Sequence, residues 1–115
     1  MTRYQHILAW LNDVASDLHA TRQDIHAHPE LCFEEKRTAD VIAKQLTDWG
    51  IPVHRGLGTT GVVGILKAGT SSRAIGLRAD IDALPMTEKN TFEHASKHAG
   101  KMHACGHDGH TAMLL

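Results

Sequence analysis

The chain has 115 residues, 12 of them basic and 13 acidic, with a formal net charge of −1 and 4% aromatic residues. That balance lacks the charge footprint of a nucleic-acid binder, and no stretch approaches the roughly 18 consecutive apolar residues that a membrane helix requires. Leu, Ile, Val and Phe together supply only 25 residues, near the ~20% level associated with disorder. The charge balance removes self-repulsion as a reason to stay open. The reading is one thin-cored domain, or a piece of a larger one.

In chain order, Tyr4, Ile7, Leu11, Val14, Leu18 and Ile25 fall at helical spacing. This predicts an amphipathic helix from about Thr2 to Ala27. His28-Pro29 ends it, because the residue before a proline is pushed out of the helical region. The Met1–His6 terminus opens a polar-interrupted pattern and no secretory signal, which makes the cytoplasm the expected compartment. A second helix is predicted from about Glu34 to Trp49, with Ala39, Ile42, Ala43, Leu46 and Trp49 on one face and Gly50 and Pro52 as the stop.

Short apolar runs then follow between glycines. Val62–Leu66 and Ala74–Leu77 predict two strands of a covered sheet joined by a polar turn, and Val53-His54 is a candidate for a third. Gly56–Gly61 has neither the lysine nor the following helix of a phosphate loop, and is read as a tight entry into the Val62 strand. From Arg78 to Met102 the pattern loses periodicity, as in functional or lid-like loops. A last helix begins at Asp108, taken as its N-cap. It has no end signal before Leu115, as if the helix ran on.

The densest set of chemically capable residues is His103-Ala104-Cys105-Gly106-His107-Asp108-Gly109-His110, in a chain with ten histidines. Thiolate and imidazole are preferred ligands of zinc-like ions, and Cys105 and His107 flank a flexible glycine that lets both turn to one ion. The start of the following helix favours the Cys105 thiolate. Asp108 either caps that helix or orients His107 as an outer carboxylate. The alternative is a loop with one inert cysteine.

Asp80 and Asp82, two apart on an extended segment, face the same way. Such a pair invites a cation, a shared proton, or Arg78 as neutraliser. An ordinary solvated strand end is the bland reading. His26 and His28 are read as favourable charges at a helix end, His94 and His98 as a solvated face, and Cys32 as a small buried hydrophobe.

Taken together, His26–Leu31 with Phe33-Glu34-Glu35, Gly58–Gly64, Leu77–Pro85 and Gly100–Ala112 resemble, in order, motifs of the M20 family of metal-dependent amidohydrolases. The nearest likeness is to the branch that hydrolyses hippurate and other N-acyl amino acids. The resemblance implies an α/β fold, the amino-terminal part of a zinc-exopeptidase-like catalytic domain over residues 1–115. Its parts would be two helices, two or three strands, a long loop and the start of a further helix.

It also implies Cys105 and His107 as ligands of a two-metal site holding zinc, manganese, cobalt or nickel. Asp80 and Asp82 would support that site, with Asp80 where related branches carry a histidine ligand. Cys32 and Ile81 depart from residues usual in the family, at positions that are not proposed ligands. The implied chemistry is metal-assisted hydrolysis of an amide in a small N-acyl amino acid, with a glutamate taking and returning the proton. That glutamate, the remaining ligands and the family's lid and dimerisation domain lie outside this sequence. The chain alone is therefore expected to be inactive, and a homo-oligomeric parent stays open. The competing reading is a non-enzymatic, histidine-rich metal-binding module.

Overall fold

The computed structural model describes residues 1–115. Helix α1 runs Arg3–Ala27, α2 Lys36–Asp48 and α3 His107–Leu114, and strands β1 (Val53–Leu57) and β2 (Gly61–Gly64) form an antiparallel hairpin. Each boundary has a local cause. Thr2 caps α1, its Oγ1 accepting from the Gln5 N–H at 3.3 Å while Gln5 Oε1 accepts from the Thr2 N–H at 2.6 Å, a reciprocal capping box. The helix stops at His28, before Pro29, as the sequence predicts.

The cap residue of α2, Glu35, makes no side-chain bond to its helix. Glu30 serves instead from outside, accepting from Arg37 N–H at 2.9 Å and from the N–H and hydroxyl of Thr38, both at 2.7 Å. Glu35 is buried and accepts from the Thr60 hydroxyl at 2.7 Å, which ties α2 to the hairpin loop. At the other end Gly50 takes φ +75°, its N–H reaches Thr47 O and that of Ile51 reaches Leu46 O, both at 2.9 Å. This paired closure lets the chain reverse into β1.

The sheet corrects the strand assignment. The predicted Val53-His54 strand is real, with Val53 opposite Gly64 and His54 opposite Val63, while Ala74–Leu77 is not a strand. A strand exists only where a neighbour takes its N–H and C=O groups. None does so here, and Ile75 and Leu77 stay 85% and 71% exposed. Gly58–Thr60 form the hairpin loop, with Thr59 at φ +83°, in keeping with the reading of this glycine-rich stretch as a turn into β2.

Only 13 residues are buried, and the apolar ones are Ile25, Ala27, Pro29, Ala39, Ala43, Ala83 and Ala112. The buried apolar side chains therefore fall in two places, where the carboxyl-terminal part of α1 packs on α3 and where α2 packs on the hairpin. The amino-terminal half of α1 projects beyond them with Tyr4 and Leu8 at 77% and 60% exposure. The chain's radius of gyration of 15.7 Å accordingly exceeds the ~13 Å of a compact domain this size.

The aperiodic stretch from Arg78 to Met102 is tied to the rest of the chain. Ala83 N–H bonds Glu30 O at 2.8 Å, Leu84 and Met102 exchange bonds at 2.9 and 3.0 Å, and Lys97 N–H reaches Ala27 O at 2.9 Å. These contacts wrap the loop around the end of α1 and bring Asp80 and Asp82 against α3.

Candidate metal centre

Helix α3 opens at His107, two residues earlier than a helix capped by Asp108 would. Its cap is Gly106, at φ +89° and with no side-chain bond. The left-handed conformation is accessible to glycine at little cost, and it turns His107 toward the 80–82 segment. Asp82 Oδ1 lies 2.9 Å from His107 Nδ1, and Asp80 Oδ2 lies 3.3 Å from Nε2 of the same ring. The expectation that the two aspartates face one way is thus realised on the two edges of a single imidazole.

His110, one turn on, places Nδ1 2.6 Å from Asp80 Oδ1, and its ring stacks on His107 with centroids 5.4 Å apart. The Thr111 hydroxyl donates to His107 O at 2.9 Å and to Asp80 O at 3.2 Å, which fastens the helix to the segment it faces. Arg78 forms no ion pair, so it is not the neutraliser of either aspartate. The bond from His110 is the main cause that holds the Asp80 carboxyl below the usual carboxylate range, against some burial and with His107 assisting.

Asp80, His107 and His110 each offer one donor atom within 4.8 Å of the others. One carboxylate and two imidazoles suit a divalent transition ion, and His107 has the setting of a ligand, one nitrogen fixed by the Asp82 carboxylate and the other turned to Asp80, itself one of the three donors. The residues present therefore fit a metal. Cys105, exposed at the lip of the same turn, is not among the three converging donors.

Asp108 neither caps α3 nor orients His107. It is 3% exposed and turned the other way, its Oδ2 2.9 Å from His26 Nδ1 and 3.2 Å from an Arg22 guanidinium nitrogen. The reason is positional: with Gly106 as cap, Asp108 falls inside the first turn, on the face that packs against α1. Asp82 orients His107 instead. Burial alone would raise the Asp108 carboxyl, but the His26 bond and the Gly109 N–H outweigh it and hold it low.

Sequence reasoning missed this network. His26 also meets Glu88, its Nε2 2.9 Å from Oε1, so it is a buried crosslink rather than a loose charge at a helix end. Burial pulls the Glu88 carboxyl upward, yet bonds from His26, Asn90 and the Ser96 N–H bring it down to about 2. Arg22 and His26 stand four apart on one face of α1, a usable signal, whereas Glu88 stands alone in an aperiodic stretch. His103 is 4% exposed with neither ring nitrogen bonded, and burial lowers its pKa.

The remaining candidates separate cleanly. His28 Nδ1 bonds Asp24 O at 2.8 Å, in keeping with a helix-end role. His98 lies beside His28, and His94 beside His26 and Phe92, away from the three donors. Cys32 is exposed rather than buried, because it sits in the open turn after Pro29. Packing around the thiol, then the charges of Asp82 and Glu35, raise its pKa.

Comparison with known proteins places these features in a lineage. Residues 76–115 match the family described as Peptidase family M20/M25/M40. The chain is 48% identical over 103 residues to a hippurate hydrolase of Campylobacter jejuni, covering 90% of this chain and 27% of that protein. It is 48% identical over 105 residues to an N-acyl-L-amino acid amidohydrolase of Geobacillus stearothermophilus, covering 91% and 28%. Among solved structures, the Bacillus subtilis YXEP protein, a dinuclear metal binding peptidase from the M20 family, superposes with a TM-score of 0.83 at 41% identity. That match covers 88% of this chain and 28% of that one. The chain thus spans about a quarter of the length of the relatives it matches.

Proposed function

This chain belongs to the M20/M25/M40 peptidase family, and on that premise we propose that it carries part of the metal site of an amidohydrolase acting on N-acyl amino acids. Hippurate-like compounds are the proposed substrates. The observation that supports this most is the setting of His107, fixed at Nδ1 by Asp82 while Nε2 faces Asp80 with His110 alongside.

His107 and Cys105 are the proposed ligands, with Asp80 as the adjoining carboxylate. Zinc, manganese, cobalt and nickel all suit such donors, and two ions per site are proposed by analogy with the dinuclear Bacillus subtilis relative. A divalent ion there would polarise the acyl carbonyl and bring a water's pKa toward neutrality. Asp82 keeps the proton on His107 Nδ1, so that Nε2 presents its lone pair. Asp80 adds negative charge that favours a cation. The proton-transferring glutamate is assigned to sequence beyond these residues, and turnover is accordingly proposed for the whole protein.

Two measurements test the reading. Calorimetric titration of the chain with Mn²⁺ or Zn²⁺ should show binding that is lost in Cys105→Ala and His107→Ala and retained in His94→Ala and His98→Ala. Equal losses in all four variants would mark a histidine-rich metal buffer instead. The whole protein, loaded with metal, should release glycine from hippurate or an amino acid from its N-acetyl derivative, and no turnover on any such amide would sink the amidohydrolase assignment.

A further inference from the structure

One buried side chain that the proposed chemistry leaves unused is His26. It stands in the last turn of α1 with 9% of its side chain exposed, and it touches three separate parts of the chain. Nδ1 reaches Asp108 in the first turn of α3 and Nε2 reaches Glu88 in the long loop, each at 2.9 Å. Phe92 and His94 pack their rings against it with centroids 5.8 and 5.7 Å away. Arg22 and His103 complete the groups that face it. Both partners are carboxylates, and bridging the two by N–H donation takes a proton on each ring nitrogen.

What this crosslink holds is the element that carries the candidate ligands. Helix α3 has 8 residues and a glycine cap with no side-chain bond, and a helix that short is not stable by itself. Its direction must come from tertiary contacts. Asp108 lies between His107 and His110, and its side chain is bound across to α1 by His26 and Arg22.

We propose that His26 is a positioning residue, which fixes the first turn of α3 through Asp108 and so sets where His107 and His110 stand relative to Asp80. The link to metal binding rests on the function proposed above, whereas the positioning itself can be measured without metal.

The test compares the wild-type chain with His26→Gln and with the double variant His26→Gln/Glu88→Gln, by amide hydrogen exchange and by Co²⁺ titration. In His26→Gln one bond of the crosslink must be lost, because a carboxamide has one donor end and both partners are acceptors. Thr111 and Ala112 amides should then exchange about tenfold faster while those of α2 and the hairpin hold, and Co²⁺ should bind about tenfold more weakly. The double variant restores the pattern, since the carboxamide oxygen at position 26 can accept from the carboxamide N–H at position 88 while the nitrogen at position 26 donates to Asp108. Both readouts should recover.

Unchanged α3 exchange in His26→Gln overturns the proposal. If the wild-type chain binds no Co²⁺ yet His26→Gln still loosens α3, the positioning role stands and the proposed metal function falls. Should His26→Gln unfold throughout, long-range ¹H–¹⁵N correlation of the wild-type imidazoles decides. Protons on both His26 nitrogens support the crosslink, and a single-proton tautomer rejects it.

Discussion

Asp82 Oδ1 stands 2.9 Å from His107 Nδ1 although the two residues are 25 apart in sequence. A loop carboxylate therefore fixes the ring of a helix residue, and with it the nitrogen that the proposed metal would meet. Replacing Asp82 with alanine should free the ring and its tautomer. Metal affinity is expected to fall about 10- to 100-fold, the usual effect of removing such an outer carboxylate. Calorimetry on the variant checks this, and affinity within about twofold of wild type would show that Asp82 does not orient His107.

Asp80 bonds His110 and faces His107. If that cluster is part of the metal site, Asp80→Asn and His110→Ala should each weaken Co²⁺ binding and alter the visible absorption of bound Co²⁺, which reports ligand type and geometry. A spectrum identical in wild type and His110→Ala would place His110 outside the ligand set.

Acid should release the Glu88 staple. Its folded pKa, about 2, lies below the ordinary glutamate value of 4.5. The unfolded chain therefore binds the proton more readily. The stability this gives is fully present above pH ~4.5 and is lost as pH falls through ~2. Circular dichroism followed from about pH 6 to 2 should show stability falling across that window in wild type. In Glu88→Gln this contribution should be missing, with stability near neutral pH already lower by about 1–3 kcal/mol, the cost of a buried hydrogen-bond partner removed.

Glu30 caps α2 from outside the helix, accepting two backbone N–H groups and the Thr38 hydroxyl. Glu30→Ala should cost about 1–2 kcal/mol, as for other lost helix caps, and should speed exchange at the Arg37 and Thr38 amides first. Metal affinity should change little, because Glu30 contacts neither α3 nor the aspartates directly through its side chain. Urea denaturation and exchange on one sample separate the two effects.

The helices were legible because their causes are local. The stripe from Tyr4 to Ile25, the His28-Pro29 break and the Gly50 stop act within a few residues, and the elements follow them closely. The hairpin was only half legible. Val62-Val63 forms a strand, but its partner is Val53–Leu57 and not Ala74–Leu77, since apolar content marks a segment able to pair without saying whether a neighbour is present to pair with it.

The site divides along the same line. Spacing singled out Cys105, His107, Asp80 and Asp82, and of these the structure brings His107, Asp80 and Asp82 together while Cys105 stays outside the converging donors. Spacing assigned Asp108 to the wrong partner and passed over Glu88 and the buried crosslink at His26. Those contacts join residues 62 to 86 positions apart, and no periodicity reaches so far. The sequence by itself determined the helices, the metal-capable donor types and the family likeness. Only the tertiary structure decided which carboxylate meets which imidazole, because the direction of a short helix capped by glycine is set by what it packs against.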